Sequence, residues 1–238
     1  MRRRKGDTMK TIGLIGGMSW ESSIEYYRII NQEVRNRLGR LHSAQSLMYS
    51  VDFAPMERLQ HEGKWDEATA SMIDAARRLE NGGADFLVIC TNTMHRMADE
   101  VQAAIRIPLL HVVDATAGVV KQRGLASVGL LGTRFTMEED FYRGRLERKH
   151  ALEVHVPEAA DRELVHRVIY EELVAGEMKQ ESKEAFLSII HRLVCAGAQG
   201  IILGCTEIGL LVTDEDCTVP LFDTTRIHAL AAVELALS

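Results

Sequence analysis

Thr11-Ile12-Gly13-Leu14-Ile15-Gly16 recurs as Ser127-Val128-Gly129-Leu130-Leu131-Gly132, and the reading of the whole chain starts from that recurrence. Two further stretches repeat in the same order. Gly83-Ala84-Asp85-Phe86-Leu87-Val88-Ile89-Cys90-Thr91-Asn92 returns as Gly197-Ala198-Gln199-Gly200-Ile201-Ile202-Leu203-Gly204-Cys205-Thr206, and Ile107-Pro108-Leu109-Leu110 returns as Val219-Pro220-Leu221-Phe222. The spacing is roughly 115 residues in all three, so the chain holds two copies of one structural unit. The first match is a strand ending in glycine. The second is a helix-terminal glycine, a buried strand and a polar strand end.

Outward from these stretches, short apolar runs alternate with longer segments of helical period, the pattern of βαβ units and a largely parallel sheet. Strands are expected over 11–15, 44–50, 86–89, 109–113, 127–131, 153–156, 201–203 and 220–222, and helices over 24–38, 66–81, 94–104, 162–175 and 181–196. The fold class is therefore α/β, with two pseudo-symmetric domains, each a mainly parallel sheet flanked by helices. The first repeat spans 9–122 and the second 123–222, with a C-terminal helix over 223–238 packing back on the first repeat. Residues 1–8 precede the first patterned segment and read as an extension.

With 238 residues, 46% of them hydrophobic, the chain can bury one large or two small cores. A net charge of -6 argues against a nucleic-acid footprint, which takes the form of a clustered basic surface. The one basic run, Arg2-Arg3-Arg4-Lys5, leads into Gly6-Asp7-Thr8 and not into the apolar stretch of a signal peptide. No segment approaches the roughly 18 consecutive apolar residues that span a bilayer. Neither nucleic acid nor membrane is expected as a partner, and the expected location is the cytoplasm. Cys90, Cys195, Cys205 and Cys217 form no CxxC pair, and the nine histidines form no HExxH or Cys/His ligand pattern, so no metal is expected.

In open parallel sheets, ligands sit at the carboxyl ends of strands. Polar residues gather there in both repeats, as Gly16-Gly17-Met18-Ser19, Thr91-Asn92-Thr93 and Gly204-Cys205-Thr206-Glu207. Gly16-Gly17 makes a tight strand-to-helix turn, and such a turn can also leave backbone N–H groups at a helix N-terminus to hold a carboxylate. It lacks the G-x-G-x-x-G spacing of a dinucleotide fingerprint. Cys205 alone would read as an inert buried thiol. Its place at a strand end beside Thr206 and Glu207 makes it a candidate thiolate, its pKa lowered by the turn that follows. In the register of the repeat, Thr91 stands where Cys205 stands, and Cys90 stands opposite Gly204.

Gly16-Gly17-Met18, Thr91-Asn92-Thr93-Met94-His95 and Gly204-Cys205-Thr206-Glu207 resemble, in order, three signatures of the aspartate/glutamate racemase family, over residues 9 to 238. The resemblance implies two pseudo-symmetric domains, an active site in the interdomain cleft, and a cysteine on each side of the substrate Cα. It implies proton removal by one thiolate and return by the opposite thiol, with neither pyridoxal phosphate nor metal, hence no cofactor. A homodimer also fits the resemblance, and the amphipathic segment 24–38 offers it a face.

The chain departs from that pattern at Thr91, where the family has cysteine before Asn-Thr. A hydroxyl is a far weaker acid than a thiol of pKa about 8.5, so it can relay a proton but not act as a resting base. The expected catalytic pair is Thr91 and Cys205, with Cys205 as the base and turnover asymmetric in favour of L-substrates. The alternative is that Cys90 replaces the missing thiol through a one-residue shift. Expected substrate-binding residues are Met18, Gln60, Asn92, Thr93, Thr206 and Glu207. Gln60, in Pro55-Met56-Glu57-Arg58-Leu59-Gln60, is otherwise an exposed helical residue, and Glu207 otherwise caps the helix that follows. Arg58, Arg134 and Lys179 are candidates for a distal carboxylate. Two other functions stay open, a cleft-cysteine enzyme like the maleate isomerases or arylmalonate decarboxylases, and an amino-acid-binding protein with weak turnover.

Overall fold

The computed structural model describes residues 9–238, so the expected extension over residues 1–8 lies outside the described residues. The strands are β1 (Ile12–Gly16), β2 (Ser46–Ser50), β3 (Phe86–Ile89), β4 (Leu109–Leu110), β5 (Ser127–Gly132), β6 (Glu153–His155), β7 (Ile201–Gly204) and β8 (Leu221–Asp223). The α-helices are α1 (Trp20–Leu38), α2 (Phe53–His61), α3 (Trp65–Asn81), α4 (Ala98–Ala103), α5 (Val112–Gln122), α6 (Arg134–Glu138), α7 (Arg143–His150), α8 (Ala159–Glu171), α9 (Gln180–Cys195), α10 (Ile208–Leu211) and α11 (Thr224–Leu237). The chain divides into two compact units. One takes the described residues through Cys90 with Met97–Leu110 and Ala229–Ser238, and the other takes Thr91–Arg96 with His111–His228.

Each unit is built on a four-stranded parallel sheet. The orders, β2-β1-β3-β4 and β6-β5-β7-β8, are the same order written twice. The central strands β1, β3, β5 and β7 are buried along their whole length and are the apolar runs of the sequence, as parallel strands covered on both faces must be. Alternate residues of the central strands serve opposite faces. In the second unit, Val128, Leu130 and Ile202 pack with α5 and α7, whereas Leu131, Ile201 and Leu203 pack with α8 and α9.

The mid-strand glycines of the repeat have a packing reason. A Cβ on Gly13 would come within 2.6 Å of Leu87 Cδ2, and one on Gly129 within 2.6 Å of Ile201 Cδ1. Leu87 and Ile201 correspond under the repeat register, so both copies let a neighbouring-strand side chain lean across the backbone of a glycine.

In the first unit, α1 buries Tyr26, Ile29, Ile30 and Val34 in a cluster that includes Ile12, Val88, Ala229 and Val233. Its outer residues Trp20, Ile24 and Tyr27 stay exposed and, with Met48 of β2, line a groove of about 360 Å³.

Three expected elements come out differently, among them the helix expected over 162–175, where α8 ends at Glu171 and a 3-10 turn, Leu173–Ala175, follows. The strand expected over 109–113 stops at Leu110, because His111 takes the N-cap of α5 and its ring accepts from Val113 N–H. The helix expected over 94–104 begins as a 3-10 turn, Thr93–Met97, before α4. Among the described residues no helix is long and apolar enough to cross a membrane.

Candidate active site

The order β6-β5-β7-β8 places β5 and β7 side by side with their connections departing to opposite sides, and the crevice at their carboxyl ends is where such sheets bind ligands. Gly132 pairs with Gly204 across that point, and Thr133 and Cys205 follow. The second unit also takes in Thr91–Arg96, so seven chemistry-bearing positions collect in it: Thr91, Asn92, Thr93, Thr133, Cys205, Thr206 and Glu207. Met18 and Gln60 lie in the first unit, Met18 after β1 and Gln60 on α2.

Cys205 is half-buried and donates from Sγ to Glu207 Oε2 at 3.0 Å. This corrects the expected pKa. Burial first, and the Glu207 carboxylate second, push the thiol well above its ordinary value, so in the ligand-free protein it is a protonated donor. Glu207 occupies the N-cap position of α10, yet its side chain makes no cap hydrogen bond. Its carboxylate faces the thiol instead, and the capping role is not the one it fills.

Thr91 follows β3 and is half-buried. Its carbonyl oxygen accepts from His95 Nδ1 at 2.8 Å, and the other ring nitrogen of His95 accepts from Val112 N–H at 3.2 Å. One nitrogen donating and one accepting defines a neutral imidazole. Burial agrees, because it pushes the His95 pKa well down, and His111 and His228 at its edges push the same way. None of the described hydrogen bonds involves the Thr91 hydroxyl, which is left able to relay a proton.

Asn92 and Thr93 are buried. Asn92 Nδ2 donates to Thr224 Oγ1 at 3.0 Å, and the Thr93 and Thr133 hydroxyls bond each other at 3.1 Å. Thr225 Oγ1 donates to Thr206 Oγ1 at 3.1 Å. Thr224, Thr225, Thr133 and His95 are the residues that sequence reasoning gave no role. His95 stood inside the quoted Thr91-Asn92-Thr93-Met94-His95 stretch, and its four-residue offset from Thr91 was the available signal.

Cys90 is fully buried in the first unit's apolar cluster with Ile12, Tyr26 and Val88, and burial pushes its thiol far up. A thiol so enclosed is not placed to stand in for Thr91. Gln60 is 4% exposed, so it is not an exposed helical residue. Met18 is buried, and in its turn the Gly17 N–H is committed to Ser23 Oγ at 2.8 Å. Arg58, Arg134 and Lys179 are exposed; Lys179 pairs with Glu172 and Glu177, and the Arg134 guanidinium lies over the Phe135 ring.

The sequence matches the family model described as Asp/Glu/Hydantoin racemase over residues 15–232. It is 55% identical to an Asp/Glu racemase candidate of known crystal structure from Yersinia pestis, with 97% of this chain and 100% of that one covered and a TM-score of 0.92. An aspartate racemase homologue from Pyrococcus horikoshii OT3 is 36% identical over 97% of this chain and 100% of its own, with a TM-score of 0.84. The broad specificity amino-acid racemase RacX of Bacillus subtilis is 23% identical over 95% of this chain and 98% of its own length.

Proposed function

The chain belongs to the Asp/Glu/Hydantoin racemase family of isomerases, and we propose that it racemises an acidic amino acid, aspartate or glutamate, without a cofactor, by proton transfer at Cα between Cys205 and Thr91. The observation that carries this reading is the Cys205 thiol at the end of β7 with its proton directed at the Glu207 carboxylate.

In this mechanism the thiol proton passes to Glu207, and the resulting thiolate takes the α-proton. The Cα–H bond breaks, an S–H bond forms, and the electron pair is delocalised into the α-carboxylate. On the other face the Thr91 hydroxyl gives its proton to Cα while taking one from a water, and the proton held on Glu207 returns to that water, so neither alkoxide nor hydroxide is left and the Glu207 carboxylate is restored. Glu207 holds the thiol protonated while the site is empty. A substrate ammonium bound beside that carboxylate offsets its charge and lowers the cost of the thiolate. Thr93 and Thr206 bind the α-carboxylate and neighbouring polar atoms. A cytoplasmic, reducing setting suits a mechanism that depends on a free thiol.

The preference for L-substrates shows in hydrogen exchange. Enantiomers have equal free energy in solution, so kcat/KM for interconversion is the same in both directions. Exchange of the α-hydrogen with solvent is under no such constraint. Cys205 can remove and return a proton on the L face repeatedly, whereas exchange from a D-substrate needs the weak base at Thr91. Proton NMR of L- and D-aspartate and L- and D-glutamate in deuterium oxide tests this. Faster loss of the α-proton from the L-enantiomers, abolished in Cys205→Ser, is expected. Equal exchange from both enantiomers would refute the assignment of Thr91, and no exchange from any of them would refute the racemase reading.

A further inference from the structure

Thr224, the first residue of α11, is fully buried and lies between two parts of the site. Its hydroxyl donates to Leu203 O at 2.8 Å and receives Asn92 Nδ2 at 3.0 Å. A hydroxyl has one proton to give, and a carbonyl oxygen can only accept, so that proton belongs to Leu203. Toward Asn92 the hydroxyl is therefore an acceptor, and Asn92 must present its NH2 group there. The amide orientation follows from chemistry and leaves a definite remainder. Asn92 Oδ1 is buried, with no hydrogen-bond partner among the described residues. A buried acceptor without a partner favours a ligand that brings a donor.

We propose that Thr224 is a positioning residue that locks the Asn92 amide with its oxygen free for substrate, so that the site selects an α-ammonium over any ligand lacking a donor there. The inference rests on the reading of this site as an amino-acid site. It goes further in naming the group that sets the amide's direction and the substrate atom that Asn92 receives. A carboxylate at Oδ1 would meet a like partial charge. A desamino dicarboxylate would leave the oxygen unpaired, which is how sites built around a substrate donor reject analogues.

The test is calorimetric binding of L-aspartate and L-glutamate against succinate and glutarate, which lack only the ammonium. The proteins are wild type, Thr224→Val, which keeps the volume and removes both hydrogen bonds, and Thr224→Ser, which keeps both. Wild type should prefer each amino acid over its desamino counterpart by at least tenfold. Thr224→Val should lose most of that preference while binding succinate as before, and Thr224→Ser should retain it within about twofold. Equal weakening for aspartate and succinate would show a merely structural role and overturn the proposal, as would an unchanged preference in Thr224→Val.

Should Thr224→Val not fold, the Asn92 side-chain amide of wild-type protein gives the answer by NMR. Its signals should move with L-aspartate and stay with succinate, and an equal response to both overturns the proposal. Turnover plays no part in these measurements. A protein that prefers aspartate to succinate but never exchanges its α-proton keeps this inference and loses the racemase reading. A wild type that binds none of the four probes loses both.

Discussion

Cys205 and Glu207 stand two residues apart, and the sequence alone supports opposite expectations for them, a thiol activated by a turn or a thiol suppressed by a carboxylate. The 3.0 Å Sγ to Oε2 contact decides for suppression. Replacing Glu207 by Gln removes the negative charge but leaves the burial, so the Cys205 pKa should fall part of the way back to the ordinary range. The pH profile of iodoacetamide alkylation checks this, with its midpoint moving down in Glu207→Gln; an upward move would show that the carboxylate is not what the thiol faces. At the matching position of the other repeat, Thr91→Cys places a group of pKa about 8.5 where a hydroxyl was. Exchange of the α-proton from D-aspartate or D-glutamate should rise at least tenfold by NMR, with exchange from the L-enantiomers little changed. Cys205 and Thr91 were singled out by the sequence because the internal repeat aligned them. Thr224 was not, because its bond to Asn92 joins residues 132 apart and no local pattern records such a contact.

The elements show where local patterns suffice and where they mislead. Gly13 and Gly129 sit inside strands, where glycine weakens a strand for want of a side chain, and the sequence marks them only as repeated. The structure supplies the cause in the 2.6 Å approach of Leu87 and Ile201 to the missing Cβ. Gly129→Ala should therefore destabilise the protein by about 1–3 kcal/mol through overpacking, as read from its urea midpoint. Gly17→Ala should cost more, because its φ of +95° disfavours any side chain and its Cβ would lie 2.1 Å from Val51 O. A smaller loss at Gly17 than at Gly129 would contradict this ranking. The fully buried central strands were legible as apolar runs. The start of α5 was hidden, because the apolar run from Leu109 continues through Val112-Val113 and hides a helix behind a strand. Its N-cap is a histidine, which cap preferences do not flag. Two rings share the work there: His95 Nε2 accepts from Val112 N–H and His111 Nδ1 from Val113 N–H, each at 3.2 Å.

For the whole molecule, the doubled strand order explains why so much of the architecture could be inferred from three matching stretches. The chain's division explains what could not, since Thr91–Arg96 belongs with His111–His228, to which Asn92, Thr93 and His95 also hydrogen-bond, and the pattern of apolar residues records none of these contacts. The buried imidazoles give the folded molecule a defined response to acid. Burial chiefly, and Arg145 next, push the His111 pKa down to about 3, and burial pushes His95 in the same direction. Asp114, also close to His111, opposes that shift. Burial alone would raise its own carboxyl, yet hydrogen bonds from Arg145, Lys149 and His150 hold it well below the usual range. In the unfolded chain both histidines titrate near 6.5. Below that pH the unfolded state binds protons that the folded state refuses, because each ring must stay neutral to accept a helix N–H and a positive charge there would oppose the helix dipole. The stability these groups contribute is complete above about pH 6.5 and is lost as pH falls toward 3. Between pH 6 and 4.5 His111 should lower the unfolding free energy by about 1.4 kcal/mol per pH unit, and His95 acts in the same direction. His111→Asn keeps an acceptor for Val113 N–H and removes one titrating group. Urea unfolding across this window should show the slope reduced by that single increment, with stability at pH 7.5 within about 1 kcal/mol of wild type. An unchanged slope would mean that His111 is protonated in the folded protein and that its ring does not hold the end of α5.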